Sequence, residues 1–228
     1  MSKTYAIKEI FGPTIQGEGY LAGTPCYFIR FAGCNMWDGR IETRAASNCP
    51  YCDTDFFKGD KLTASDIVNK LKSLSFDTKD ISWIIITGGE PLLQLDEALV
   101  NSLHNEGYRV QVETNGTINP DEDLMWEIDS ISMSPKVSLS EIKLKECNSL
   151  KILFPHPNPN ITPEAFAEYP ADDYYIQPVD VFDFGEGYTI ERYQEESREN
   201  LDIAIKKVQQ LGDPWKLGMQ LHKVIGVR

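Results

Sequence analysis

The chain contains no apolar run approaching the ~20 residues that a membrane-spanning helix needs, and nothing resembling a secretory signal follows Met1-Ser2-Lys3. A cytoplasmic protein without membrane contact is the expectation. It also lacks any cluster of lysine and arginine: 22 basic residues against 35 acidic ones leave a formal net charge of -13, which argues against direct binding to nucleic acid or an anionic membrane surface. A small-molecule substrate is expected instead. Cysteine is scarce, five in 228 residues, and in a reducing compartment such thiols read as ligands or catalysts rather than as a disulfide framework. Repeats, low-complexity tracts and linkers are missing too, so residues 1–228 are expected to form one domain with a proper core.

What is present begins with three of those cysteines. Cys34, Cys49 and Cys52 follow an apolar, strand-like run and are separated by fourteen and then two residues, with no obvious fourth partner. A structural zinc site takes four protein ligands, whereas a 4Fe-4S cluster held by three thiolates leaves one iron open to a small molecule. Cys26, inside an apolar run, and Cys147 read as free thiols.

Apolar runs recur at Cys26 to Phe31, Trp83 to Ile86, Val110 to Val112, Leu150 to Phe154, Tyr174 to Ile176 and Leu217 to Leu221, with a weaker one near Ile128 to Met133. Their near-continuous apolarity predicts parallel strands buried on both faces. Helical stripes lie between several of them: Ile67, Leu71 and Leu74 behind a Thr63/Asp66 capping box; Leu92, Leu95, Leu99 and Leu103; and Leu201 to Leu211, stopped by Gly212-Asp213-Pro214. The segments Pro155 to Asn160 and Phe182 to Tyr188, the second with two glycines, read as loops. The fold class is therefore α/β, a partial barrel of mostly parallel strands with fewer helices. Polar residues end the strands: Arg30, Thr87-Gly88-Gly89-Glu90-Pro91, Glu113-Thr114-Asn115-Gly116, Ser134-Pro135-Lys136, Gln177-Pro178, and Gln220 with His222. In such folds the carboxyl ends of the strands make the active-site face.

Three cysteines after a strand, an aromatic residue just before the last of them and Gly88-Gly89-Glu90-Pro91 after the next strand resemble the radical S-adenosylmethionine (SAM) superfamily. More narrowly, Gln16-Gly17-Glu18-Gly19, Phe28-Ile29-Arg30, Cys52-Asp53-Thr54, the motifs at Thr87, Glu113 and Ser134, and His222-Lys223 together resemble the 7-carboxy-7-deazaguanine synthase family, in order over nearly the whole chain. One departure stands out. The superfamily usually places three residues between its first two cysteines, where Asn35 to Asn48 make fourteen here; a longer loop also occurs within the synthase family.

The resemblance implies a carbon-nitrogen lyase that converts 6-carboxy-5,6,7,8-tetrahydropterin to 7-carboxy-7-deazaguanine with loss of ammonia, on the way to 7-deazapurines such as queuosine. It implies Cys34, Cys49 and Cys52 as 4Fe-4S ligands, and SAM held by Tyr51, Asp53, Gly89, Glu90, Ser134, Pro135, Lys136 and Gln177, with Glu90 accepting from the SAM ammonium. Mg²⁺ is expected at Thr54. Substrate contacts are expected from Ile15, Gln16, Gly17, Arg30, Thr87 and the terminal carboxylate of Arg228, the tail being anchored on the barrel by Val224, Ile225 and Val227 after a final strand at Trp215 to Leu221. Glu18 and His222 are the candidate catalytic groups, with a plain turn carboxylate and a core histidine as their alternatives. A flavodoxin-like or ferredoxin-like electron donor and a homodimer are the expected partners.

Three other readings compete. Cys49-Pro50-Tyr51-Cys52 is also a glutaredoxin active-site sequence, but such a site needs an apolar strand running into it and an amphipathic helix leaving it, and neither pattern flanks it here. A zinc-stabilised binding module would have to recruit His104, His156 or His222, none of which has ligand spacing. Another radical SAM enzyme, such as one activating a partner protein, would share the cysteine site but not the substrate residues.

Overall fold

The computed structural model describes residues 2–74, 81–180 and 189–227. The chain opens with a long strand β1 (Tyr5–Ile15), followed by β2 (Pro25–Phe31), a short β3 (Asp60–Leu62) and helix α1 (Ala64–Leu74). Beyond them come β4 (Trp83–Gly88), α2 (Glu97–His104), β5 (Arg109–Thr114), α3 (Glu122–Glu127), β6 (Ser130–Met133), β7 (Cys147–Phe154) and β8 (Ala171–Pro178). Helix α4 (Ile190–Leu211), β9 (Trp215–Leu217) and α5 (Leu221–Ile225) complete the order.

Among the described residues the strands form one sheet of nine, ordered β3-β1-β2-β4-β5-β6-β7-β8-β9. From β2 to β9 every neighbouring pair is parallel. The sheet does not close on itself, and helices cross only some of the connections, so the expected partial barrel with fewer helices than strands is observed. Burial on both faces explains the apolar runs: Ile84, Ile85 and Ile86 are all fully buried. The Thr63/Asp66 box starts α1, with the Thr63 backbone N–H donating to the Asp66 carboxylate at 2.9 Å and the Asp66 N–H to Thr63 Oγ1 at 3.2 Å. Gly212, at φ 64°, ends α4 as expected.

One strand carries no sequence expectation, and three expectations need correction. Strand β1 carries no continuous apolar run because Lys8, Glu9, Gly12 and Pro13 interrupt it, yet it pairs antiparallel with β2 and with β3; a pairing partner rather than a local pattern makes it a strand. The Leu92 to Leu103 stripe is not one helix. Leu92 lies in a tight turn at Pro91–Leu93, and α2 starts only after Asp96, whose carboxylate caps it by accepting from the Leu99 N–H at 3.1 Å. The last strand stops at Leu217, because Gly218 turns the chain and Leu221 opens α5 with its N–H on the Gly17 carbonyl at 2.9 Å. Finally, Val224 and Ile225 do not anchor the tail, being 67% and 48% exposed, whereas Val227, 39% exposed, borders the cavity at the strand ends. The whole segment Phe182 to Tyr188 lies outside the described residues.

Candidate functional site

The carboxyl ends of the parallel strands open onto a cavity of about 620 Å³, within the range of small-ligand sites. Its wall joins the turn after β1, the cysteine segment, the ends of β4 to β8 and the start of α5.

Cys34 follows β2 directly. Cys49 and Cys52 sit on one turn, closed by the Cys52 N–H on the Cys49 carbonyl at 3.0 Å. All three thiols are free and line the cavity, while Cys26 and Cys147 are buried elsewhere. Asn35 pins the chain just after Cys34, donating to Thr117 Oγ1 at 2.7 Å and accepting from the Asn115 amide at 3.0 Å. The long segment to Asn48 folds around Trp37, whose indole N–H donates to the Arg40 carbonyl at 3.2 Å and Thr43 Oγ1 at 3.1 Å. Arg44 lies over the Trp37 ring and reaches the Cys52 carbonyl, so the insertion ties the two halves of the cysteine site together. No helix leaves the Cys49–Cys52 turn, which removes the glutaredoxin geometry.

Among the described residues no three His, Cys, Asp or Glu side chains converge tightly enough to hold a single metal ion. Of the three histidines, His104 pairs with Asp129 at 2.9 Å and His156 with the Tyr51 hydroxyl at 2.7 Å; only His222 lines the cavity. Three free thiols lining one cavity are the donor set that a 4Fe-4S cluster takes. Burial pushes the Cys34 and Cys52 thiols up, and Cys49 up to about 11. The neighbouring Lys136 ammonium pulls Cys49 and Cys52 the other way and offers a positive charge to ligating thiolates.

Beside the cysteines, Gly88 and Gly89 pass against the β2–Cys34 segment. A Cβ on Gly89 would stand 2.1 Å from the Gly33 carbonyl oxygen and 2.8 Å from Cys34 Cβ, so only glycine permits this approach. Gly89, Tyr51, Asp53, Ser134, Lys136 and Gln177 all face the cavity. Gln177 is buried, and its Oε1 has no partner, an acceptor left open in the wall of a polar site. Those residues fit the amino, carboxylate and hydroxyl groups of SAM. Glu90 is placed differently: fully buried, it is not on the cavity wall, and its carboxylate accepts from the Leu92 N–H, the Thr114 hydroxyl and the Asn115 N–H at 3.1, 2.9 and 2.8 Å. Burial raises Glu90 to about 7 against the pull of those donors. Pro135 also stays off the wall.

At the opposite end, Arg30 and Thr87 sit side by side on β2 and β4. Arg30 Nε donates to Glu9 at 2.8 Å. Ile15, Gln16, Glu18 and His222 join this end, and Thr54 lies with Asp53 on the wall nearby. Gly17 does not reach the cavity: its N–H donates to Gln16 Oε1 at 2.9 Å, its carbonyl takes the Leu221 N–H, and a Cβ there would strike the His222 ring. Arg228 lies outside the described residues.

Sequence reasoning missed the centre of this end. Lys151, buried in mid-β7, reaches Glu18 at 2.7 Å and Glu113 at 2.8 Å. Gln220 donates to the other oxygen of Glu18 at 2.7 Å, and Gln16 and Gln111 donate to Glu113 at 3.0 and 2.9 Å. Burial works to raise Glu18, but the Lys151 charge and the donated hydrogen bonds outweigh it and hold the carboxyl at about 2. One signal was available, a lysine inside the apolar run Leu150-Lys151-Ile152-Leu153.

An unclosed parallel sheet carrying three unbridged cysteines and a glycine-lined cavity at its carboxyl edge defines a radical SAM protein. A family model described as the Radical SAM superfamily matches residues 43–148, beginning after Cys34. The 7-carboxy-7-deazaguanine synthase of Bradyrhizobium diazoefficiens is 36% identical, over 99% of this chain and 100% of its own length. The synthase of Bordetella pertussis is also 36% identical, over 98% and 99%. The crystal structure of QueE from Escherichia coli shares the fold at a TM-score of 0.66 and 21% identity, covering 96% of this chain and 95% of that one. The chain belongs to the 7-carboxy-7-deazaguanine synthase family.

Proposed function

We propose that the protein, acting as one domain over residues 1–228, converts 6-carboxy-5,6,7,8-tetrahydropterin to 7-carboxy-7-deazaguanine with release of ammonia. The observation that carries this is the sharing of one cavity by three unbridged cysteines and a polar end built from Arg30, Thr87 and Glu18, in a chain aligned with the synthases over its whole length. Cys34, Cys49 and Cys52 would hold the 4Fe-4S cluster, and Tyr51, Asp53, Gly89, Ser134, Lys136 and Gln177 would hold SAM. When bound, that pair supplies one-electron cleavage of the SAM sulfonium and thus a radical at the substrate.

The chain's own residues then bind and orient. Arg30 presents a guanidinium to the substrate carboxylate, a charge-assisted pairing. Thr87 and Gln16 offer donors and acceptors to the ring edge, and Ile15 packs on its face. Glu18, held ionised by Lys151, accepts N–H groups as a ring anchor; burial lowers His222 and favours its neutral form. The Thr54 hydroxyl would hold Mg²⁺, a cation that favours hard oxygen ligands and would offset the charge of the substrate carboxylate. Glu90, facing inward, positions the Gly88-Gly89 turn for SAM rather than touching it. The C-terminal carboxylate of Arg228 completes the acceptors for the guanidine-like pterin edge.

A flavodoxin-like or ferredoxin-like donor, a homodimer and a cytoplasmic setting belong to the same reading; no helix among the described residues is long and apolar enough to cross a membrane. Anaerobic reconstitution with iron and sulfide, followed by turnover with the carboxy-tetrahydropterin, tests it. Deazaguanine product is expected; reductive SAM cleavage without that product would point to a different radical SAM substrate.

A further inference from the structure

Lys151 is a costly residue where it stands. Its side chain is 4% exposed, on a strand whose neighbours Leu150 and Ile152 are fully buried, and a lysine there is tolerated only with close partners. Two carboxylates provide them, Glu18 from the turn after β1 and Glu113 from β5, which are far apart in sequence and meet only through this ammonium. Each keeps one oxygen on Lys151 and the other on side-chain amides, Gln220 for Glu18 and Gln16 with Gln111 for Glu113. A carboxylate has about four acceptor positions, so open lone pairs remain on both. Both carboxylates and the lysine line the cavity.

We propose that Lys151 is a positioning residue for the substrate, holding Glu18 and Glu113 as a fixed pair of charged acceptors for the N–H groups on the amino-pyrimidinone edge of the pterin. The triad sums to one negative charge. Arg30, which also lines the cavity, carries the opposite sign for the carboxylate, so together they set which way round the ring lies. The other titratable groups facing the triad are His222 from α5 and Lys136 after β6, and burial pushes both toward their neutral forms. Without Lys151 two carboxylates would face each other in a poorly hydrated wall, and one would be driven to take up a proton. That acceptor would then be lost.

The proposal rests on the pterin reading, and the test separates the two. Binding of 6-carboxy-tetrahydropterin, and of its analogue lacking the 2-amino group, is measured calorimetrically on reconstituted, SAM-saturated wild type, Lys151→Met and Lys151→Arg. Wild type should prefer the amino compound. Lys151→Met should lose on the order of tenfold affinity for it, progressively more at lower pH, and should lose the preference for the amino group, while iron content and SAM binding stay at wild-type values. Lys151→Arg, which keeps the charge, should restore part of both. If Lys151→Met does not fold, Lys151→Arg decides alone: its longer fork shifts the carboxylates and must change the amino-group preference. An unchanged preference in every folded variant overturns the positioning role. Failure of wild type to bind either pterin overturns the functional reading instead.

Discussion

Replacing Glu90 by Gln isolates one buried carboxylate on which the glycine turn depends. Its two oxygens take three donors, the Leu92 and Asn115 backbone N–H groups and the Thr114 hydroxyl. A carboxamide has only one acceptor oxygen, so in either orientation its NH₂ faces a backbone N–H, which is left buried without a partner at a cost of about 1–3 kcal/mol. Wild type carries a different penalty, that of burying charge. Its carboxyl rises from 4.5 to about 7 on folding. The unfolded chain therefore releases this proton near 4.5 while the folded chain keeps it until about 7, so stability falls as pH climbs through that window and is level above it. At about 1.4 kcal/mol per unit the decline is about 3 kcal/mol. Urea unfolding of reduced, cluster-free protein between pH 5 and 8 reads both effects, and subtracting the variant's profile removes the titrations they share. Glu90→Gln should be the less stable protein at pH 5 and should match or exceed wild type at pH 8. Parallel profiles, or a wild type whose excess stability does not shrink as pH rises, refute the burial argument.

Alanine at Cys34, Cys49 or Cys52 should abolish cluster loading, measured as iron and sulfide after anaerobic reconstitution, whereas alanine at Cys26 or Cys147 should leave it intact; full loading of Cys34→Ala would reject the long-loop ligand. Thr54→Ala should lower turnover and weaken its dependence on added Mg²⁺, with cluster content unchanged; turnover equal to wild type at every Mg²⁺ concentration removes the role. A short polar tag appended after Arg228 should raise the substrate KM or stop turnover without altering cluster content or SAM binding; normal kinetics in the extended protein mean that the terminal carboxylate is not a substrate ligand.

Much of this was legible along the chain because it depends on neighbours in sequence. Parallel strands buried on both faces must be apolar almost throughout, and the runs at Trp83, Val110, Leu150 and Tyr174 are strands. Backbone turns that approach a cofactor need glycine, and clusters need thiolates, so Gly88-Gly89 and the three cysteines declare themselves by residue type. The Thr63/Asp66 cap and the Gly212 stop are likewise local.

Tertiary structure decided what depends on partners remote in sequence. Strand β1 is broken by charges and a proline and becomes a strand by pairing with β2 and β3. Glu90 turns inward, because Asn115 and Thr114 arrive from β5 with donors to satisfy. The tail leaves Val224 and Ile225 in solvent once Gly218 ends the last strand. Lys151 is separated from Glu18 and Glu113 by 133 and 38 residues, and only the folding of the sheet brings them to hydrogen-bonding distance. A residue's type can show that it needs a partner, but which partner it finds is a property of the folded sheet.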